Sequence, residues 1–263
     1  MGVLSEILAQ KAREVSALRE APSASRPESW PVRDVLAALT RPQGAPLRLI
    51  AEIKYRSPSA GPLSRALGPG ERARRYQEGG ASMISVLTDT TWFGGSFDDL
   101  GAARSSVSVP VLCKDFIIDP IQIERAWAAG ADSSLIIVRC LPRGQAVAEL
   151  VAAGRTRGLE PFVEVVDEQE LELAIDAGAR VIGVNARDLD TLEMNAERAR
   201  RVVAQIPRHL VAVHLSGLKS GADASEMAAS RADAALVGEA LMRRDDPEAL
   251  VAEFARGASI GKN

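Results

Sequence analysis

The sequence predicts a (β/α)8 barrel, a TIM barrel, that carries an N-terminal helical extension. Three observations predict it. From Leu49 onward, short apolar runs alternate with helical patterns eight times, at intervals of about 20–33 residues, and eight β-then-α units close a barrel. The chain has 263 residues, and one barrel domain uses about 250. A doubly wound open sheet, the alternative, would normally show a Gly-rich phosphate loop after an early strand, and none is present. The expected organisation is one domain over residues 1–263, with 1–45 as the extension.

The extension opens with Val3, Leu4, Ile7, Leu8, Ala12, Val15 and Leu18 spaced among charges, the pattern of an amphipathic helix over 3–20. A loop with Pro22, Pro27 and Pro31 follows, then a short helical pattern through Val35, Leu36 and Leu39. This segment belongs to no barrel unit and reads as a docking helix or as a lid over the barrel mouth. Strands are expected at Leu49–Ile53, Met83–Leu87, Val109–Cys113, Ser134–Val138, Pro161–Val165, Arg180–Val184, Leu210–Val213 and Ala234–Val237. Helices are expected near 70–78, 98–105, 119–129, 143–157, 167–177, 195–205, 221–229 and 246–256. Gly79, Gly130, Gly158 and Gly178 suit the left-handed position that ends a helix. Asp119-Pro120 and the Asp167/Glu170 pair are helix starts.

Composition narrows the function. With 46% hydrophobic and 25% charged residues the profile is that of a soluble globular protein, and a net charge of -3 gives no nucleic-acid footprint. Cys113 and Cys140 fit neither a disulfide framework nor a metal-ligand spacing, and both lie in apolar runs, as buried structural thiols do. Two histidines, His209 and His214, leave little room for a His-based metal site. Charges arrive too early in Met1–Lys11 for a signal peptide, and no apolar run reaches the roughly 18 residues of a membrane span. A cytoplasmic protein is expected, a monomer or weak homo-oligomer, with no nucleic-acid or membrane partner.

Catalytic groups of such a barrel sit at the C-terminal ends of its strands. The first strand brings Glu52 and Lys54, on one face because side chains alternate, with Ala51 and Ile53 on the other. Taken alone, that pair is equally an ordinary edge-strand ion pair. The third strand ends on Lys114, the fifth carries Glu164, and the sixth ends on Asn185 with Arg187 just beyond. Several charged strand ends each cost desolvation unless a shared polar site receives them. Two ammoniums and two carboxylates would hold each other's charge, and partial burial is expected to lower a lysine's pKa toward usefulness as an acid.

A second constellation suits phosphate. Strand seven leads into Ser216-Gly217 and strand eight into Gly238-Glu239, where glycines admit backbone N–H groups to an anion and the helix opening at Glu239 adds its dipole. Arg56 and Ser57, in the first loop, complete that cradle. Third, Thr91-Trp92-Phe93-Gly94-Gly95-Ser96 places aromatics beside a Gly-Gly hinge, either as the wall of a pocket for a planar ring or as a loop packed on the barrel.

Glu52-Ile-Lys54-Tyr-Arg-Ser57-Pro58-Ser59, Phe93-Gly-Gly-Ser96, Lys114-Asp115-Phe116-Ile117, Glu164-Val, Asn185-Ala-Arg187-Asp188-Leu189 and Ser216-Gly217 together resemble the indole-3-glycerol phosphate synthase family, in order and at its spacing, over about residues 3 to 256. The resemblance implies a carboxy-lyase of tryptophan-type indole formation. It would convert 1-(2-carboxyphenylamino)-1-deoxyribulose 5-phosphate to indole-3-glycerol phosphate, releasing carbon dioxide and water, without metal or organic cofactor. It implies Lys114 as the general acid at the substrate carbonyl, and Lys54 as carboxylate holder and acid for the leaving hydroxyl. Glu164 acts in the dehydration, Glu52 orients the lysines, and Asn185 bonds the sugar. Arg187 and Leu189 line the site, and Ser57, Gly217 and Gly238 bind the phosphate.

One departure stands out. The family's strand seven usually ends Glu-Ser-Gly, and here Leu215 occupies the glutamate's place. His214 cannot substitute, since on a strand it faces the opposite way. Losing a carboxylate leaves the lysines one neutralising partner fewer. Smaller departures are the polar Ser133-Ser134 and Glu239, where some members carry a phosphate-binding serine. The rival readings are another phosphate-handling barrel, such as a sugar-phosphate isomerase, and a non-catalytic or impaired paralogue that binds a phosphorylated ligand. The aminoribose isomerases lack support, because no Cys/Asp acid–base pair stands at strands one and six. Retained Lys54, Lys114 and Glu164 argue against the paralogue.

Overall fold

In the computed structural model, which describes residues 2–22, 25–142, 144–189 and 191–257, eight parallel strands close a barrel. They are β1 (Arg48–Ile53), β2 (Met83–Leu87), β3 (Val111–Lys114), β4 (Ser133–Ile137), β5 (Glu160–Val165), β6 (Val181–Asn185), β7 (Val211–Leu215) and β8 (Ala234–Val237), and β8 pairs back onto β1. Closure leaves no edge strand, so β1 is paired on both sides and the edge-strand reading of Glu52 and Lys54 falls away. Alternation along each strand sorts the side chains into two layers. Ile50, Met83, Leu112, Leu135, Phe162, Val181, Val213 and Leu236 fill the barrel, while Ala51, Ile53, Ile84, Val86, Val111 and Cys113 pack outward under the helices.

Met83–Leu87 and Ala234–Val237 form as expected, and the other strand bounds shift by one or two residues. β3 begins after Pro110 and runs on to Lys114, and β7 runs on to Leu215. A charge or a polar turn residue in the sequence reads as a terminator, yet a residue at the barrel mouth stays in the ladder while its side chain meets the cavity. The expected helices form, that near 143–157 as Gly144–Thr156, its first residue, Arg143, lying outside the described residues. Asp119 caps its helix in a full capping box with Gln122, and Asp167 accepts from Glu170 N–H at 2.9 Å. Gly130, Gly158 and Gly178 take positive φ as expected; Gly79 does not, and Gly80 (φ 104°) turns the chain after that helix instead.

The extension closes the barrel at both ends. Helix α1 (Val3–Glu20) lies over the mouth, with Leu4 and Ile7 packed into the interior cluster. The following segment descends the wall: the Arg26 and Arg33 side chains donate to carbonyls that include Ala131 and Val109, at the strands' N-terminal ends. Helix α2 (Val35–Leu39), capped by Asp34, then plugs the floor with Val35 and Leu39. Both expectations for the extension thus have a counterpart, a lid in α1 and a docked plug in α2. Among the described residues no helix is long and apolar enough to cross a membrane, and Cys113 and Cys140 are buried.

Candidate active site

One cavity, of roughly 1140 Å³ counted to its open mouth, occupies the C-terminal end of the barrel. Each strand's last inward residue reaches it: Glu52, Leu87, Lys114, Ile137, Glu164, Asn185, Leu215 and Leu236. Lys54 follows β1 and turns back over Glu52, with Nζ 2.7 Å from Glu52 Oε1. Lys114 Nζ stands 3.9 Å from Glu52 Oε2 and 3.7 Å from Glu164 Oε2. The carboxylates are deep, at 4% and 1% side-chain exposure, whereas the two lysines keep 16% and 18% and reach the solvent side.

The electrostatics of this quartet correct one expectation. Burial pulls Lys114 down, but the charges of Glu164 and Glu52 outweigh it, and the ammonium sits above the ordinary lysine value. Partial burial therefore does not lower this pKa; two anions within 4 Å win over desolvation. Glu52 mirrors it: burial pushes the carboxyl up, and Lys54 and Lys114 pull it further down, so it stays ionised.

Glu164 is aimed by a relay. Ser216 Oγ donates to Asn185 Oδ1 at 2.9 Å, the Arg187 N–H donates to the same oxygen at 3.0 Å, and Asn185 Nδ2 donates to Glu164 Oε1 at 2.8 Å. Glu164 Oε2 has no hydrogen-bond partner among the described residues and faces the cavity. Its nearest cation is Lys114 Nζ, 3.7 Å away, so that oxygen is charge-compensated but not tied by a hydrogen bond.

Of the residues singled out from the sequence, Ser57, Phe93, Arg187, Leu189, Ser216, Gly217, Gly238 and Glu239 all line the cavity. Arg56 does not. It lies on a two-residue ribbon, Arg56–Ser57 paired with Gly61–Pro62, and alternation turns Ser57 inward and Arg56 out, where its guanidinium donates to the carbonyls of Thr90 and Thr91. Glu239 borders the cavity with its carboxylate held by Arg243 at 2.8 Å. The helix it opens is one turn long, Glu239–Met242, too short for the dipole expected of it. Gly238 has a different reason to be glycine: a Cβ there would lie 2.2 Å from Glu52 Oε1, so the missing side chain makes room for the carboxylate. Ser216 and Gly217 both adopt positive φ, 69° and 92°, and fold the end of β7 over the cavity rim.

Phe93 forms one wall, tilted against Phe116 with centroids 6.0 Å apart. Its neighbour Trp92 turns away and donates from Nε1 to Gln10 Oε1 of α1 at 3.1 Å, so the two aromatics divide the roles of pocket wall and loop anchor. Leu215 is 2% exposed, beside Asn185 in the ladder and Leu236 beyond, and His214 points outward as alternation requires. Sequence reasoning missed Val3, Leu4 and Ile7, which roof the cavity from α1, and the apolar sides Ile137, Leu192, Leu218 and Leu236. The helical stripe was visible in the sequence, and the barrel mouth was one of the two places offered for it.

The fold and this mouth define an enzyme-type (β/α)8 barrel whose site pairs buried carboxylates with reachable ammoniums beside a glycine-lined rim. Solved structures of 3-hexulose-6-phosphate synthase (TM-score 0.65, 16% identity, covering 80% of this chain and 99% of that one) and of thiamine phosphate pyrophosphorylase from Pyrococcus furiosus (TM-score 0.61, 18% identity, 81% and 95%) share the fold. The sequence goes further. The family model described as indole-3-glycerol phosphate synthase matches residues 4–254. Proteins of that name from Mycobacterium ulcerans and Mycobacterium tuberculosis are each 42% identical over 253 residues, 96% of this chain and 90% of theirs. The chain belongs to the indole-3-glycerol phosphate synthase family.

Proposed function

We propose that the protein is a carboxy-lyase that closes the indole ring of indole-3-glycerol phosphate from 1-(2-carboxyphenylamino)-1-deoxyribulose 5-phosphate. The observation that carries this is the quartet: a charged, reachable Lys114 between two buried carboxylates, one of which, Glu164, has an oxygen that accepts no hydrogen bond among the described residues. The ring carbon bearing the carboxylate attacks the ketone carbon, and Lys114 delivers a proton to the oxygen as charge builds there. The carbon–carboxylate bond then breaks, its electron pair restores the aromatic ring, and carbon dioxide leaves. In the dehydration, Lys54 protonates the departing hydroxyl while Glu164 Oε2 removes a proton from the neighbouring carbon, and the new double bond completes the pyrrole. Atoms balance as one carbon dioxide and one water lost.

Lys54 also holds the substrate carboxylate, Glu52 pairs with Lys54 and helps to hold Lys114 in place, and Asn185 keeps one amide hydrogen for the sugar chain after bonding Glu164. The phosphate takes the rim, where Ser57, Ser216, Gly217 and Arg187 converge, and the arene lies between Phe93, Leu189 and the α1 roof. The reaction needs no cofactor beyond these groups. The enzyme works in the cytoplasm as a monomer or weak homo-oligomer on a small phosphorylated substrate.

Leu215 favours a second reading, an impaired paralogue that binds phosphorylated ligand without turning it over. Incubation with the carboxyphenylamino-deoxyribulose phosphate, followed by indole fluorescence and carbon dioxide release, decides. Stoichiometric release of both products supports the enzyme; tight binding with no fluorescence gain supports the paralogue.

A further inference from the structure

The N-terminal helix carries a buried cation that the reaction does not use. Leu4, Ile7, Lys11 and Val15 form the buried stripe of α1, so Lys11 occupies a place where its neighbours are apolar. Its side chain is 1% exposed, and an ammonium there must be matched by charge. Nζ lies 2.7 Å from Asp89 Oδ2, just past β2, 2.7 Å from Asp115 Oδ1, just past β3, and 2.9 Å from Glu14 Oε2. Burial pulls Lys11 down, and Asp115 and Asp89 more than restore it, so the group stays charged.

Both aspartates have second tasks. Asp89 Oδ1 accepts from Trp92 N–H at 2.6 Å and starts the turn that carries Phe93. Asp115 accepts from Thr88 Oγ1 at 2.8 Å and from Phe116 N–H at 2.8 Å, which fixes the backbone directly after Lys114. Lys114 itself stands 3.7 and 3.9 Å from its carboxylates, longer than a tight charge-assisted contact, so Glu164 and Glu52 aim it only in part. The rest of its direction comes from the backbone at the end of β3.

We propose that Lys11 is a positioning residue for the reaction: it clamps the turn after β3 through Asp115, and so aims Lys114, while it locks the helical roof over the same cavity. The inference rests on the reading of Lys114 as the acid. A buried ion cluster suits this task better than simple attachment, since well-packed apolar side chains hold a helix at least as firmly.

The test compares Lys11→Met, Lys11→Arg and Asp89→Asn at saturating substrate, well below each melting temperature. Lys11→Met lowers kcat about 10²-fold, the cost of misplacing a catalytic group by about 1 Å, and Lys11→Arg, which keeps the charge, recovers most of it. Asp89→Asn keeps the capping oxygen but weakens the clamp, and lowers kcat severalfold; it decides the matter if Lys11→Met does not fold. Hydrogen exchange rises together in segments 3–20 and 113–118 of the Lys11→Met protein. Wild-type kcat in a folded Lys11→Met, or equal losses in Lys11→Met and Lys11→Arg, overturns the proposal. If the wild type makes no indole product, the reading of the site has failed, and the clamp is then judged on exchange alone: unchanged protection at 113–118 overturns it.

Discussion

At the floor of the barrel, Asp132 accepts from the backbone N–H groups of Arg33 and Val111, at 2.9 Å each, and faces the guanidinium groups of Arg26 and Arg104 at 3.4 and 3.3 Å. At the mouth, Glu164 accepts one hydrogen bond from Asn185 and keeps its other oxygen 3.7 Å from an ammonium. Both carboxylates are buried in the same fold, Asp132 just before β4 and Glu164 on the neighbouring β5. The floor carboxylate is saturated by fixed partners, and the mouth carboxylate is left partly unmet. Arg231 and Asp233 repeat the floor pattern, with Arg231 donating to the carbonyls of Ile206, Pro207 and Leu210 and Asp233 accepting from Ala212 N–H. Charge at the floor holds the extension and the turns in place; charge at the mouth is kept available for a ligand. This is the division expected of a barrel whose chemistry lies at one end.

The largest effect that sharpens the contrast is at Lys114. Lys114→Met lowers kcat by about 10²–10⁴-fold, the usual contribution of a general acid, with substrate affinity retained because phosphate contacts are spread over the rim. Steady-state kinetics alongside a direct binding measurement check it; a kcat above a tenth of wild type removes Lys114 from the acid's role. Asp132→Ala is the floor's counterpart. It leaves Arg26 and Arg104 buried without their anion and lowers stability by roughly 3–5 kcal/mol, with kcat of the folded fraction unchanged. Denaturant titration and active-site-normalised rates separate the two terms. If Asp132→Ala instead cuts the rate of fully folded protein, the two ends are coupled and the contrast breaks.

Gly238→Ala is smaller and tests how tightly the mouth is packed. A methyl group 2.2 Å from the present Glu52 Oε1 must displace that carboxylate, and with it the anchor of Lys54 and Lys114. We expect kcat to fall about 10–100-fold with little change in melting temperature, in line with a displacement of about 1 Å at a catalytic group. A kcat at wild-type level would show that Glu52 can move without consequence.

The contrast also explains what was legible in sequence. Parallel strands buried on both faces write apolar runs, so the eight units and their order could be read from Leu49 to Val237. Charged or polar strand ends picked out Glu52, Lys114, Glu164 and Asn185, and the barrel brings all four to one cavity. Arg56 misled because its two-residue ribbon is too short to show an alternation. Lys11 could not be read as a clamp, since its partners, Asp89 and Asp115, are far along the chain and only barrel closure brings them to α1. Gly238 was read for its backbone, while its role comes from a side chain on the neighbouring strand. Local pattern carries what one strand decides; contacts between strands and the extension need the fold.

The smallest expected effect concerns Leu215, where the mouth departs from the rest of its own pattern. The residue ends β7 between Asn185 and Leu236, its Cδ1 against Gly183, and it turns one side of a charged cavity apolar. Leu215→Glu adds a carboxylate to a mouth that now balances two lysines with two glutamates. Lys114 already titrates above the ordinary lysine value of about 10.4, so the rate holds until the pH rises through that raised value. A further anion favours the charged ammonium, and the alkaline limb of kcat therefore moves to still higher pH, while kcat below that limb, where Lys114 is already protonated, stays within a few-fold of wild type. Stability falls by about 1–2 kcal/mol, because a buried leucine is exchanged for a group that must be hydrated or paired. The measurement is kcat against pH on wild type and variant, with melting temperature beside it. A stable variant whose alkaline limb does not move would show that the wall has repacked around the leucine and that the added carboxyl sits there protonated. In that case the apolar side is a settled part of this active site, and the lysines are tuned by Glu52 and Glu164 alone.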